Sequence, residues 1–372
     1  MKTFYTYLAC LLPCILAAQA PAATATNDGS QEAAKATEFA IPAAPAYMLL
    51  DASSPLVNQP ANVRDFKVDW SLRSYALQPN IALEAQPIWE IFYNKSDISK
   101  YQKTSKFMRT LSTLSLSGGT LQKNVDLLKD SVLTTTLINQ ASIAFKINLY
   151  RQYDPLMDVE IYKEPAENYV KQKADLEKQV KTLTDSLPKV KTPKAQKEIE
   201  KQIQDTKTSL IVLNNAQKEI IKGLRTQYVK EHWNAAMLDV AFGKVYNFDR
   251  PVLDSLNLVS SGFGIWLNGS YGIGKKSLLC GTLRYTKMDT IQAFEMGVNY
   301  RYGSPKYNFF VETVYKPVQS DNNYKNKFVI AYGGDFKVGN NVAIGFALRT
   351  VYDKNLQFTN LVPVANINCL MR

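Results

Sequence analysis

Along much of this chain apolar and polar positions alternate one by one. Asn80-Ile-Ala-Leu-Glu-Ala-Gln-Pro-Ile-Trp-Glu-Ile-Phe-Tyr93 is one such run, and Ile291-Gln-Ala-Phe-Glu-Met-Gly-Val-Asn-Tyr-Arg-Tyr302 is another. Successive side chains of a strand point to opposite faces, so each run has one greasy and one polar face. Segments of about ten residues with this alternation, separated by turn formers, mark a transmembrane β-barrel. The pattern predicts strands at 64–77, 80–93, 106–119 and 131–150, then at 231–247, 258–273, 277–288, 290–302, 307–318, 326–338, 341–352 and 361–371. That makes twelve antiparallel strands, an even number, as in a bacterial barrel with both termini on one side. Gly274-Lys-Lys276, Gly303-Ser-Pro305, Asp321-Asn-Asn323 and Gly339-Asn-Asn341 supply turn chemistry between them.

Between the fourth and fifth strands the period changes. From 164 to 187 and from 194 to 228 the chain is rich in Lys, Gln and Glu. Ile199, Ile203, Thr206, Leu210, Leu213, Gln217, Ile220 and Leu224 recur at alternating four and three, which is a heptad seam. Tyr169, Leu176 and Leu183 repeat at seven in the first stretch. Leu187-Pro-Lys-Val-Lys-Thr-Pro193 cannot continue a helix. The prediction is an antiparallel coiled-coil hairpin with arms of roughly 35 to 50 Å. With periplasmic termini, strand parity puts this hairpin on the periplasmic side; a strand count off by one would move it outside.

Within the strands, the polar parity names the lumen. Lumen-lining candidates are Glu84, Glu90, Lys146, Asp239, Arg284, Glu295, Arg301, Glu312, Lys337 and Arg349, joined by Lys67, Asp69, Gln86, Gln140, Lys316 and Asp335. Leu83, Trp89, Ile91 and Tyr93 take the outward parity of the second strand. Both charge signs interleave in the lumen without a single-sign ring. Two readings fit: a path for polar solutes, or a salt-bridged interior that passes nothing of size.

The rest of the chain sets the context. Met1 to Ala20 has one Lys, an apolar core and small residues before the cleavage zone, as in a secretory signal peptide. After it, no apolar run approaches the ~20 residues of a membrane-spanning helix. The predicted organisation is a signal peptide at 1–22, a flexible leader at 23–62 in which only Tyr47–Leu50 docks, four strands in 63–152, the hairpin in 163–229 and eight strands in 230–372. The 21 Tyr and 16 Phe suit aromatic girdles. The net charge is +11, and Lys163 to Lys230, with 15 basic and 9 acidic residues, holds +6 of it. Nucleic acid is excluded as a partner for an exported chain. Cys280 and Cys369 read as unpaired small hydrophobes within strands. The one histidine, His232, has no nucleophile elbow, metal-ligand cluster or phosphate loop beside it, so no enzyme, cofactor or metal is expected.

Three stretches carry a resemblance: Pro45-Ala-Tyr-Met-Leu-Leu50 followed by Pro60, Asn80 to Trp89, and Arg109-Thr-Leu-Ser-Thr-Leu-Ser-Leu116. With Trp233-Asn-Ala-Ala-Met-Leu-Asp-Val-Ala-Phe-Gly243, they resemble a bacterial family of outer-membrane β-barrel-like exported proteins. The likeness covers about a third of the chain, and Gln86 and Ile88 depart from the family's usual Ala-Pro-Tyr pattern. It implies an outer-membrane barrel and brings no catalytic residue and no substrate. The expectation is an outer-membrane barrel of a Gram-negative bacterium acting as a scaffold or export-accessory protein. Its expected partners are outer-membrane lipid and a periplasmic protein or cell-wall partner held by the basic arm. A porin-like channel for small polar solutes is the alternative; a surface adhesin or a membrane lipase ranks lower.

Overall fold

A computed structural model describes residues 42–62, 66–73, 80–93, 98–129, 132–157, 160–248, 258–288, 291–320, 323–339, 341–353 and 355–371. The signal peptide, its cleavage zone and the leader up to residue 41 lie outside the described residues. Twelve antiparallel strands close into one barrel in chain order, with the last strand meeting the first. They are β1 (Phe66–Arg73), β2 (Ile81–Ala85), β3 (Ser115–Lys129), β4 (Val132–Arg151), β5 (Met237–Phe248), β6 (Leu258–Ile273), β7 (Ser277–Met288), β8 (Ile291–Gly303), β9 (Tyr307–Ser320), β10 (Asn323–Lys337), β11 (Val342–Tyr352) and β12 (Phe358–Met371). Closure runs through Phe66↔Met371 to Arg73↔Val364. From β5 onward the observed strands follow the predicted ones closely, except that β5 starts at Met237 because the preceding helix continues through His232.

The alternation that announced the strands reappears as two faces. On β8, Phe294, Met296, Val298, Tyr300 and Tyr302 are exposed, while Glu295, Asn299 and Arg301 are buried. The 13 residues of β8, at ~3.3 Å each and tilted about 40°, rise roughly 33 Å, enough for an apolar band of about 25 Å. Outward-facing Phe242, Ile265, Leu283, Val311, Tyr332 and Phe346 continue this belt around the barrel. So large an apolar exterior is stable against lipid and not against water. No helix among the described residues is long and apolar enough to cross a membrane, which says nothing about strands.

The second and third predicted strands are corrected. The helices in chain order begin with α1 (Pro45–Leu49), α2 (Pro87–Ile91), α3 (Ile98–Lys103) and α4 (Lys106–Leu111), and strand β2 stops at Ala85, where Gln86-Pro87 opens α2. Pro87 takes the first helical position, where its missing N–H is no loss, and it could not donate to a strand ladder. Trp89 and Tyr93 are therefore not lipid-facing. They are buried in a cluster with Tyr101 and Leu156. The predicted third strand is displaced likewise: Ser105 caps α4 by accepting from the Met108 amide, and the strand begins only at Ser115.

Helices α5 (Glu160–Ser186) and α6 (Pro193–His232) form the hairpin. At 1.5 Å per residue, the 40 residues of α6 extend about 60 Å. Tyr169, Leu176, Val180 and Leu183 on α5 and Ile199, Ile203, Leu210, Leu213 and Leu224 on α6 are partly or fully buried between the arms. Ile220 is the exception, 48% exposed. Tyr169 Oη donates to Asn214 Oδ1 at 2.6 Å. Parity sets the hairpin, the α2–α4 region and the turn at Gly274, whose φ of +65° suits glycine, at one barrel end.

A lipid-facing charge tests the belt. Val298→Arg, at the middle of β8, should cost about 2–4 kcal/mol of stability, whereas Val212→Arg on exposed α6 should change little. Denaturant unfolding in lipid or detergent, followed by heat modifiability, measures both.

Candidate functional site

The lumen is not empty. Residues 42–62 run inside the barrel and are buried almost throughout, with Tyr47, Ala44 and Val57 fully so. This corrects the expectation of a flexible leader anchored only at Tyr47–Leu50. Helix α1 packs on β3, β4 and β5. Pro42 and Gln59 line the same cavity as Trp233 and Pro305, so the segment enters and leaves at the hairpin end. Its apex, Asp51, reaches Arg284 and Lys316 on β7 and β9.

A main chain packed inside a barrel must satisfy its polar groups. Here wall side chains do so. Lys67 Nζ donates to the Pro42 carbonyl at 2.6 Å, and the Ala44 amide donates to Asp69 Oδ2 at 2.6 Å. Ser142 Oγ donates to the Ala46 carbonyl at 2.9 Å. Arg284 donates to the Met48 carbonyl, and Arg349 to the carbonyls of Ser53 and Ser54. The amides of Leu56 and Val57 donate to the two oxygens of Glu312 at 2.8 and 3.1 Å. Lys146 Nζ closes the series on the Ala61 carbonyl at 3.2 Å.

The same wall groups pair with one another. Lys67 sits 3.2 Å from Asp69 and 2.7 Å from Glu84, and Lys146 lies 3.1 Å from the other oxygen of Glu84. Beside them Asn148 Nδ2 donates to Asp239 at 2.6 Å. On the opposite wall, Arg284 is 2.6 Å from Glu295, and Lys316 is 3.3 Å from it. Arg301 pairs with Asp335 and donates to Asn308 Oδ1 at 3.0 Å. Such buried charges hold only as complete sets, since removal of one partner strands the other.

Glycines make room for the segment. A β-carbon at Gly264 would come within 2.6 Å of Leu49 Cδ1, and one at Gly297 within 2.5 Å of Val57 Cγ2. What space is left includes a cavity of about 40 Å³ at the hairpin end, bordered by Asn58, Arg301, Lys337 and Asn368. That volume holds a few waters at most.

Of the candidates from sequence, Glu84, Lys146, Asp239, Arg284, Glu295, Arg301, Glu312 and Arg349 are buried and face the lumen side. Lys337 is half-buried at the end of β10 and borders the cavity. Glu90 is on α2 and not on a strand, so it is removed from the lumen wall. Sequence reading missed Asp51, the only charged residue between 42 and 62. An isolated acid in an otherwise neutral stretch was the available signal. His232 lies at the end of α6, its ring 4.3 Å from those of both Tyr228 and Tyr153, and it serves packing. Among the described residues no cluster of His, Cys, Asp and Glu could hold a metal.

No sequence family matches the chain, and no curated protein does. Solved barrels resemble it in outline. A KdgM porin aligns over 83% of this chain and 99% of its own, at 7% identity and a TM-score of 0.36. OccK3 (OpdO) of Pseudomonas aeruginosa aligns over 83% and 76%, at 9% identity and 0.31. The CymD monoaromatic hydrocarbon channel aligns over 82% and 87%, at 8% identity and 0.29. Likeness this distant carries no argument about activity.

Asp51 gives the site a pH dependence. Burial opposes its ionisation, but Arg284 and then Lys316 outweigh this and hold its carboxyl well below the ordinary 3.8. A depressed carboxylate stabilises the folded arrangement fully above the unfolded value, and the contribution is lost as pH falls through the folded one. The difference in protease protection of residues 42–62 between the wild-type chain and Asp51→Asn should therefore be constant from neutral pH down to about 4 and shrink only below it.

Proposed function

We propose that this outer-membrane-type barrel is a channel for small polar solutes, held shut by its own segment 42–62. The observation that carries this reading is the chemistry of the plug's attachment. The segment is not a strand of the barrel, and beyond its chain connection to β1 no covalent bond among the described residues ties it to the wall. It is held by ionised wall groups bonded to its main chain. Amides and carbonyls are what those groups bind now; hydroxyl, carboxylate or amide groups of a solute offer the same partners. Cations and anions balance along the wall, so the open lumen would favour polar solutes without strong preference for either charge. The scaffold or export-accessory role expected from the hairpin has less support, because a polar, glycine-relieved lumen has no use in a scaffold.

Purified full-length protein in planar bilayers should be silent or open rarely. Excision of 42–62 should give discrete conductance steps with weak ion selectivity. Gly264→Val and Glu312→Gln, which crowd or release the segment, should raise the open fraction of the intact chain. A heat-modifiable barrel without 42–62 that never conducts would falsify the channel reading.

One observation favours a second role beside the first. Ile211 and Val212 are exposed on α6, away from the seam. A helix face of this kind, on an arm about 60 Å long, suits docking of a periplasmic protein. Removal of residues 164–228 should leave the barrel folded and heat-modifiable, since β4 and β5 pair directly. An impermeant amine reagent on intact cells should not reach Lys189 or Lys191 at the tip. Labelling there would put the arm outside and replace periplasmic docking by a surface role.

A further inference from the structure

We propose that the α2–α4 lobe lies in the phospholipid headgroup layer beside the barrel and binds anionic phospholipid. The lobe is rigid. Trp89, Tyr93 and Tyr101 pack with ring centroids 5.3 to 5.7 Å apart. Tyr101 Oη donates to Asp154 at 2.6 Å and Gln102 Nε2 to the Leu156 carbonyl at 2.8 Å, which fixes the lobe to the chain leaving β4. From this frame two large apolar side chains project, Ile91 at 79% and Phe107 at 72% exposure.

Single exposed apolar residues need no explanation. Phe107, however, sits on a helix that adjoins the lipid-facing belt. Helix α4 packs on β4, where Leu149 and Tyr150 are exposed at the same barrel end, and it leads into β3, whose Leu116 is exposed as well. The charge fits one partner. Between Pro87 and Leu111 the chain carries Lys95, Lys100, Lys103, Lys106 and Arg109 against Glu90 and Asp97, an excess of three positive charges. Lys100 Nζ lies 3.7 Å above the Phe92 ring, so cation and aromatic face are presented together. Apolar side chains at acyl depth with lysines at headgroup height make an interfacial anchor, and the lysines favour an anionic surface. The inference depends on the barrel's belt and not on the channel reading.

Spin labels on the full chain test it, in a cysteine-free background with one cysteine at 91, 107 or 207. Position 207 is on exposed α6 and reports the aqueous phase. In vesicles of phosphatidylethanolamine and phosphatidylglycerol, labels replacing Ile91 and Phe107 should show an oxygen-to-nickel-chelate collision ratio several-fold above that at 207. In phosphatidylcholine the ratio should drop, and Lys103→Gln with Lys106→Gln should produce the same drop in the anionic vesicles. Heat modifiability confirms that each variant is folded. Ratios at 91 and 107 equal to that at 207 in anionic vesicles would overturn the proposal. So would shielding that is independent of lipid charge and of the two lysines, or shielding in detergent that disappears on dilution, which would mean contact between copies.

Discussion

Ionised side chains of the barrel wall and the main chain of residues 42–62 satisfy one another, and the interior depends on that exchange. A segment without strand or long helix leaves many amides and carbonyls unpaired, and inside a closed barrel water cannot reach most of them. Lys67, Asp69, Arg284, Glu312 and Arg349 supply the missing partners. The segment in turn takes the place of the water those charges would otherwise need. Neither side is stable in the dry lumen without the other.

Barrel closure makes this exchange compatible with a membrane. All strand hydrogen bonds are internal, so the outside can be apolar while the inside carries the charges, with apolar patches such as Leu121 and Trp266 packing on the segment. The inner face would still be too crowded if every position carried a side chain. Gly264 and Gly297 relieve it where Leu49 and Val57 sit. The seat is therefore shaped for this segment, yet it binds it through contacts that reverse without breaking a strand. That combination gives a plug its gating potential.

The features outside the strand circuit collect at one end of the barrel. The termini of the strand circuit, the coiled-coil arm, the α2–α4 lobe and the mouth of the plug all share it. Trp233 joins them physically: it lines the cavity beside Gln59, and its Nε1 donates to the Lys275 carbonyl in the β6–β7 turn at 3.2 Å. The arm is thus rooted next to the segment's ends.

The barrel was legible in the sequence because strand periodicity is local. Ile291 to Tyr302 declares its two faces without reference to any other part of the chain, and β6 and β7 were bounded to the residue by Gly274 and its neighbours. The heptads of the hairpin were legible for the same reason. Where a local rule competed with the pattern, the reading failed: Pro87 and the Ser105 cap turned alternating stretches into helices and moved Glu90, Trp89 and Tyr93 off the wall. Ile220 shares the heptad spacing of the seam and is exposed all the same. The plug was not legible at all. Pro42 to Asn62 has no period of its own, and what holds it are Lys67, Glu312 and Arg349, up to 296 residues distant. The sequence by itself determined that these charges face inward; only the closed sheet, by bringing them around one axis, decided what they hold.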